Sequence, residues 1–262
     1  MPDSAMDRSR VLRLHYKAGV AIILLDRPPV NALDAAACLA LEQTLSDLAH
    51  APEIHCILLT APADRPFCAG RDFKELAAMT PERELAGASI MRSLFDRLLN
   101  HPLPLVAAVS GVAVGLGTVL TALCDIRLAS PTARFALPEI NVGRAGGVAF
   151  LSRFAMPGIV RRMALTGEPI SAEEARRIGL VDEIVASDML YETALTLART
   201  IAAKPPLGVR AIKCGLNAVA GLPPLEGYKL EQSLSADLAT SHDSREALRA
   251  IIEKRVPRFR GR

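Results

Sequence analysis

The sequence has almost no imbalance of charge. Its 31 Lys and Arg face 28 Asp and Glu, leaving +3 over 262 residues, and the basic residues are spread along the chain. A nucleic-acid surface gathers basic side chains into a patch or stripe, so no such partner is expected. Long apolar runs are missing too. None approaches the roughly 20 residues a helix needs to cross a bilayer, so no membrane partner is expected. The five cysteines, Cys38, Cys56, Cys68, Cys124 and Cys214, are odd in number, scattered and without metal spacing. That pattern suits a reducing compartment and excludes a disulfide frame. The five histidines, His15, His50, His55, His101 and His242, show no ligand spacing either, so no metal is expected. The polar stretch MPDSAMDRSR is followed by no apolar signal segment, which predicts a cytoplasmic protein.

Three common nucleotide and hydrolase motifs are also lacking. Gly115-Leu116-Gly117 begins like a dinucleotide fingerprint, but Leu120 stands where its third glycine belongs. There is no G-x-x-x-x-G-K-[ST] phosphate loop and no G-x-S-x-G nucleophile elbow. Cys68 lies near a helix start, where a thiol can be reactive. With no histidine close in sequence, it reads as a packed small residue.

What is present is an ordinary globular composition, 50% apolar and 23% charged. Leu103–Asp125 is its most informative stretch. Leu105–Val109 is a short β-branched run closed by Ser110-Gly111, a strand signal. Gly111, Gly115 and Gly117 follow, then an uncharged run that predicts a buried helix starting near Leu116. Such a start points free N–H groups and the positive end of a dipole out of the loop, a ready site for an oxyanion or a phosphate. A tight structural turn would use the same glycines, and the glycines alone do not choose between the two.

Elsewhere, Val11–Leu14 and Val20–Leu25 read as a hairpin turned at Lys17-Ala18-Gly19, and Ile54–Thr60 as a third strand. Helices are expected over Ala35–Leu48, from Asp72, and over Pro81–Leu99 behind a Thr80-Pro81 cap. Short strands are expected at Asp125–Ala129, Ala133–Leu137 and Val181–Val185, with helices from Val148 and over Ser171–Ile178, the latter behind a Ser171–Glu174 capping box. The last quarter reads as helices alone: Tyr191–Ala202, Leu207–Val219, Leu225–Ala239 and Ser244–Lys254. Alternation followed by helices predicts an α/β core with parallel strands.

Four motifs in order carry a family resemblance. Phe67-Cys68-Ala69-Gly70-Arg71-Asp72-Phe73-Lys74-Glu75 is similar to FxAGxDxxE. Gly111–Asp125 is similar to a G-x-x-x-G-x-G…C-D block, Ala133–Gly143 to A-x-F-x-x-P-E-x-x-x-G, and Glu253-Lys254-Arg255 with Pro257 and Phe259 to a terminal EKR-x-P-x-F. Together they resemble the crotonase superfamily, the enoyl-CoA hydratase/isomerase family. The resemblance implies an α/β protein, with a crotonase-like ββα spiral core over 1–200 carrying the acyl-CoA site. Residues 201–262 would then be a C-terminal helical trimerisation region, giving a homotrimer or a dimer of trimers. It implies no cofactor, since CoA is part of the substrate.

The resemblance also assigns roles. The backbone N–H groups of Arg71 and Leu116 would stabilise the enolate oxygen of a CoA thioester. Glu139 would be the acid/base. Arg27, Val30, Ala69, Gly70, Asp72, Gly115, Val119 and Lys254 would contact substrate or CoA, with Lys254 reaching the CoA phosphates. Hydratases of the family use two glutamates; the first position is Val119 here and the second is Glu139. One carboxylate facing an aliphatic residue, with Pro28-Pro29-Val30-Asn31 ahead of it, resembles the enoyl-CoA isomerases. Isomerisation is therefore expected first. The alternatives are hydration or dehydration of a specialised acyl-CoA, or a catalytically weak acyl-CoA-binding protein. After Gly143 only Arg144-Ala145 precede Gly146-Gly147, a short loop for the family. Arg144 adds a cation beside the site, which would lower the Glu139 pKa if it lies close. The acyl-pocket walls are expected from the helix around Leu76–Leu94 and from the terminal helices.

Overall fold

The computed structural model describes residues 6–7, 11–153 and 155–262. Most of the polar N-terminal stretch lies outside the described residues. The chain opens with β1 (Met6–Asp7), β2 (Leu12–Lys17) and β3 (Val20–Leu25), antiparallel neighbours. The expected hairpin is there, with Ala18 and Gly19 at positive φ in its turn. α1 (Ala35–Ala49) starts where the Asp34 carboxylate accepts from Ala37 N–H. β4 (Cys56–Thr60) follows, then α2 (Phe73–Ala77) and α3 (Pro81–Leu99). The Thr80 hydroxyl caps α3 by accepting from Arg83 N–H, with Pro81 behind it.

β5 (Leu105–Val109), β6 (Val112–Val114), α4 (Leu116–Ala122), β7 (Ile126–Ala129) and β8 (Arg134–Ala136) form the middle of the chain. A 3₁₀ turn over Pro138–Val142 leads to α5 (Val148–Leu151), α6 (Pro157–Thr166), β9 (Ile170–Ser171), α7 (Ala172–Arg177) and β10 (Glu183–Ile184). The chain ends in α8 (Leu190–Ala202), α9 (Pro206–Val219), α10 (Pro224–Ala239) and α11 (His242–Ile252).

Seven strands form one sheet in the order β1-β2-β3-β4-β5-β7-β10, parallel from β3 onward. A second sheet has the order β6-β8-β9. β4 and β5 are buried at every residue, which is why they read as unbroken apolar runs. On β3, Ala21, Ile23 and Leu25 join the large core with Leu41, Leu45, Leu59, Phe67 and Phe135. Val20 and Ile22 face the other way, onto Leu195 and Ala198 of α8. This period-two alternation places helices on both faces of the sheet.

Three departures from expectation have local causes. β10 keeps only two residues, because Leu180 and Val181 N–H both donate to Ala175 O and finish α7 instead. Ser171 caps α7, but Glu174 does not complete the capping box, since its carboxylate is taken by Arg162 at 2.9 Å. α6 was not expected, although Pro157 at its start and Gly167 at its left-handed end are standard signals. Among the described residues, no helix is long and apolar enough to cross a membrane.

α9 is pinned to the sheet by a buried cation. Lys213 Nζ donates to Leu103 O at 2.9 Å and to Asp125 Oδ2 at 2.7 Å, and the same oxygen accepts from Leu105 N–H. Lys213→Ala is expected to lower stability by roughly 3 kcal/mol, the low end for a broken buried pair, because Asp125 keeps contact with water. A denaturant midpoint unchanged by that substitution would contradict the role.

Candidate active site

The site forms where two glycine turns meet. Cys68 pairs with Ala113 of β6 as an isolated parallel bridge, with Cys68 N–H donating to Val112 O and Val114 N–H to Cys68 O. On the other side, Leu33 brackets Arg71 by donating to Gly70 O and accepting from Asp72 N–H. Segment 69–72 is therefore held from both sides. Gly117 permits the approach: a methyl group there would lie 2.3 Å from Cys68 O and 2.8 Å from Cys68 Cβ. Gly115, at φ +53°, turns the chain from β6 into α4.

The Thr118 hydroxyl, fully buried, lies 2.8 Å from Ala113 O and 2.9 Å from Ala136 O, and so holds α4 against β6 and β8. Sequence reasoning did not single it out. A threonine in an apolar run shows no outward signal of two cross-strand acceptors. Arg71 N–H faces away from Leu33, and Leu116 N–H is the first of α4 with no intrahelical partner; among the described residues neither has a protein acceptor.

Glu139 is carried by the 3₁₀ turn that follows β8. Its Oε1 packs on Gly115, where a methyl group would lie 2.7 Å away. Its Oε2 is buried and, among the described residues, has no hydrogen-bond partner. Burial pushes the carboxyl pKa above the ordinary carboxylate range. Arg144 would lower it only if its guanidinium came close, and it does not. Arg144 N–H donates to Glu139 O at 2.9 Å, but its guanidinium turns away and pairs with Glu84 at 2.6 Å.

These groups surround a cavity of about 400 Å³. Ala69, Gly70, Arg71, Gly115, Leu116, Val119 and Glu139 all line it, so the structure brings these seven together. Apolar wall comes from Phe73 and Leu76 of α2 and from Ala88, Met91 and Phe95 of α3. Phe95 is backed by Phe150 in an edge-to-face contact, centroids 5.0 Å apart. Val119 is buried, and Gly147 sits tightly against it: a methyl group on Gly147 would lie 2.9 Å from Val119 Cγ2. The terminal helices, expected as walls, contribute nothing to this lining.

Arg27, Val30, Asp72 and Lys254 also lie outside it. Arg27 donates to Asp72 at 2.8 Å, to Asp34 at 2.7 Å and to Ala32 O, while Asp72 caps α2. Val30 and Lys254 are exposed. Cys68 is buried, and burial pushes its thiol up to about 12, which leaves it protonated and inert at neutral pH. Among the described residues, no three His, Cys, Asp or Glu side chains gather as a metal site.

The fold and the comparisons with known proteins place the chain in the crotonase class of enzymes. More narrowly, the chain belongs to the enoyl-CoA hydratase/isomerase family, whose family model matches residues 15–262. It is 36% identical over 249 residues to 2,3-dehydroadipyl-CoA hydratase of Escherichia coli K12, covering 93% of this chain and 96% of that one. It is 35% identical over 264 residues to carnitinyl-CoA dehydratase of Proteus mirabilis, covering 97% and 100%. Among solved structures, an enoyl-CoA hydratase from Bacillus anthracis superposes with a TM-score of 0.91 at 30% identity, covering 96% and 99%. The chain is thus an enzyme of the hydratase/isomerase kind, and an acyl-CoA substrate fits the family. These relatives are named for hydration and dehydration, not for isomerisation.

Proposed function

We propose that the enzyme moves the double bond of an enoyl-CoA, using Glu139 as its one acid/base. The supporting observation is the state of the carboxylates in the cavity. Among the described residues, Glu84 and Glu139 are the two that line it; Glu84 is engaged by Arg144, while Glu139 Oε2 has no partner. The thioester oxygen would accept from Arg71 N–H and Leu116 N–H. Glu139 would take the C2 proton of a 3-enoyl-CoA, leaving a dienolate, and return that proton at C4. No water enters the balance. Val119, with Gly147 against it, puts aliphatic surface where a second carboxylate would have to stand to hold one.

Ala69, Gly70, Gly115 and Val119 would wrap the thioester and its first carbons. Arg27 and Asp72, paired to each other, would shape the loop with Val30 along which CoA lies. Lys254 would reach the CoA phosphates, in the same or a neighbouring subunit. We assign residues 1–200 to the core and 201–262 to oligomerisation, giving a homotrimer or a dimer of trimers. Exposed Ile212, Leu216, Leu225, Leu248 and Ile251 on α9–α11 support this.

A second reading is hydration or dehydration of a specialised acyl-CoA, favoured by the names of the relatives. The purified chain, given 3-enoyl-CoA and 2-enoyl-CoA separately, decides between them. Isomerisation is expected to exceed hydration by at least about 10²-fold, the low end of what a missing acid/base group costs. Hydration as fast as isomerisation would transfer the assignment to the second reading. Binding without turnover of either would leave an acyl-CoA-binding protein.

A further inference from the structure

We infer that the ion pair between Glu84 on α3 and Arg144 on the glycine segment is a removable strap that closes the acyl pocket and limits the length of acyl group the site accepts. The inference rests on the acyl-CoA reading above. Both residues line the cavity, from different elements: Glu84 from the first turn of α3, Arg144 from the segment after the 3₁₀ turn. Among Gly143, Arg144, Ala145, Gly146 and Gly147, arginine is the one side chain able to make a polar contact. It makes that contact with α3, at 2.6 Å.

The two ends of the segment are held differently. Gly147 is wedged, its backbone tight against Leu137 and Val119. Gly143, at φ +67°, has nothing within 4 Å of where a side chain would begin. Main-chain bonds from Gly143 N–H to Ile140 O and from Arg144 N–H to Glu139 O tie the segment to the 3₁₀ turn, and the ion pair ties its middle to α3. Glu84 is 45% exposed and Arg144 35%, so the pair sits in water at the rim. Exposed pairs of this kind are weak, and the strap opens without disturbing the core. Glycine at three of five positions gives the backbone freedom to follow.

The strap also reaches the base. Arg144 N–H donates to Glu139 O, so one residue ties the Glu139 turn to α3 through its main chain and side chain together. Arg144 is in this sense a positioning residue. A short acyl group fits beneath the closed strap; a longer one must lift it and loosens the Glu139 turn in doing so.

The test uses the full chain with Glu84→Gln, Arg144→Ala, and the charge-exchanged double variant Glu84→Arg with Arg144→Glu. Steady-state kinetics are run on unbranched enoyl-CoAs of short, medium and long chain. Each single variant is expected to improve kcat/KM for the long substrate relative to the short one by up to about fivefold, all that a weak exposed pair can withhold, mainly through KM. Each should also lower kcat on the short substrate several-fold. The exchanged pair is expected to restore the wild-type length preference. An unchanged preference in the single variants, or a double variant that behaves like them, overturns the strap.

Dissociation constants for saturated acyl-CoAs of the same lengths are measured alongside and need no turnover. If the wild type binds but turns nothing over, the enzymatic reading fails, and the length shift in Kd alone decides the strap. If no acyl-CoA binds, both fail.

Discussion

Glu139→Gln is expected to lower kcat on an enoyl-CoA by about 10²–10⁴, the usual loss when a general acid/base is removed. Gln keeps the shape and packing against Gly115 but cannot take a proton. The same substitution should raise stability near neutral pH. The sign follows from burial. The native carboxyl has a raised pKa, so the folded state resists ionising it more than the unfolded state does. Below the unfolded pKa both states are protonated and no penalty exists. As pH rises through the native pKa, the folded protein must hold a buried charge with an unpartnered Oε2, and stability falls. Glutamine removes that cost. Thermal melts of the two proteins should coincide at acid pH and separate above it, the variant melting higher. In the wild type, the acid limb of kcat/KM should lie above the ordinary carboxylate range, since the base must be ionised to work. A variant with full activity would remove Glu139 from the mechanism. One that is inactive and less stable would mean that the carboxylate serves the fold.

The features legible in the sequence are those set by neighbours along the chain. Thr80-Pro81 marks the start of α3 because capping needs only a hydroxyl and an N–H three residues on. The glycines at 115 and 117 mark a close approach because nothing larger fits, though not what they approach. Glu139 is placed beside that turn by the family resemblance of Ala133–Gly143 and not by its neighbours along the chain. Pairings across the chain were not legible. Arg27–Asp72 spans 45 residues, Glu84–Arg144 60 and Lys213–Asp125 88. Arg144 shows the difference best. Its backbone lies where the sequence put it, beside Glu139, but a long flexible side chain goes to the nearest available countercharge, and Glu84 on α3 supplies one. The closeness that would let Arg144 lower the Glu139 pKa is therefore not met, and burial is left as the dominant influence, raising it. α6 was missed for another reason: most of its residues face water, so its apolar spacing is thin, with Val160 and Met163 as its buried positions.

Gly117→Ala is expected to reduce kcat/KM by about 10²–10³, as much as losing one oxyanion donor outright, although residue 117 has no chemistry of its own. The added carbon would lie 2.3 Å from Cys68 O, and that oxygen accepts from Val114 N–H at 2.9 Å. The obstacle is main chain on both sides, so no side-chain rotation relieves it. Segment 68–71 or the start of α4 must retreat. Either movement separates Arg71 N–H from Leu116 N–H, and two donors that no longer share a target cannot both meet one enolate oxygen. Overpacking of this kind also costs about 1–3 kcal/mol in stability. Activity is therefore measured well below the melting temperature of the variant. Gly158→Ala is the control: it lies in α6, with nothing within 4 Å of the new carbon, and should leave kcat/KM unchanged. The two losses in Gly117→Ala need not scale together, because stability sums over the whole core while donor geometry tolerates only tenths of an ångström. A Gly117→Ala protein that folds and keeps wild-type kcat/KM would show that contact between the two turns does not position the donors.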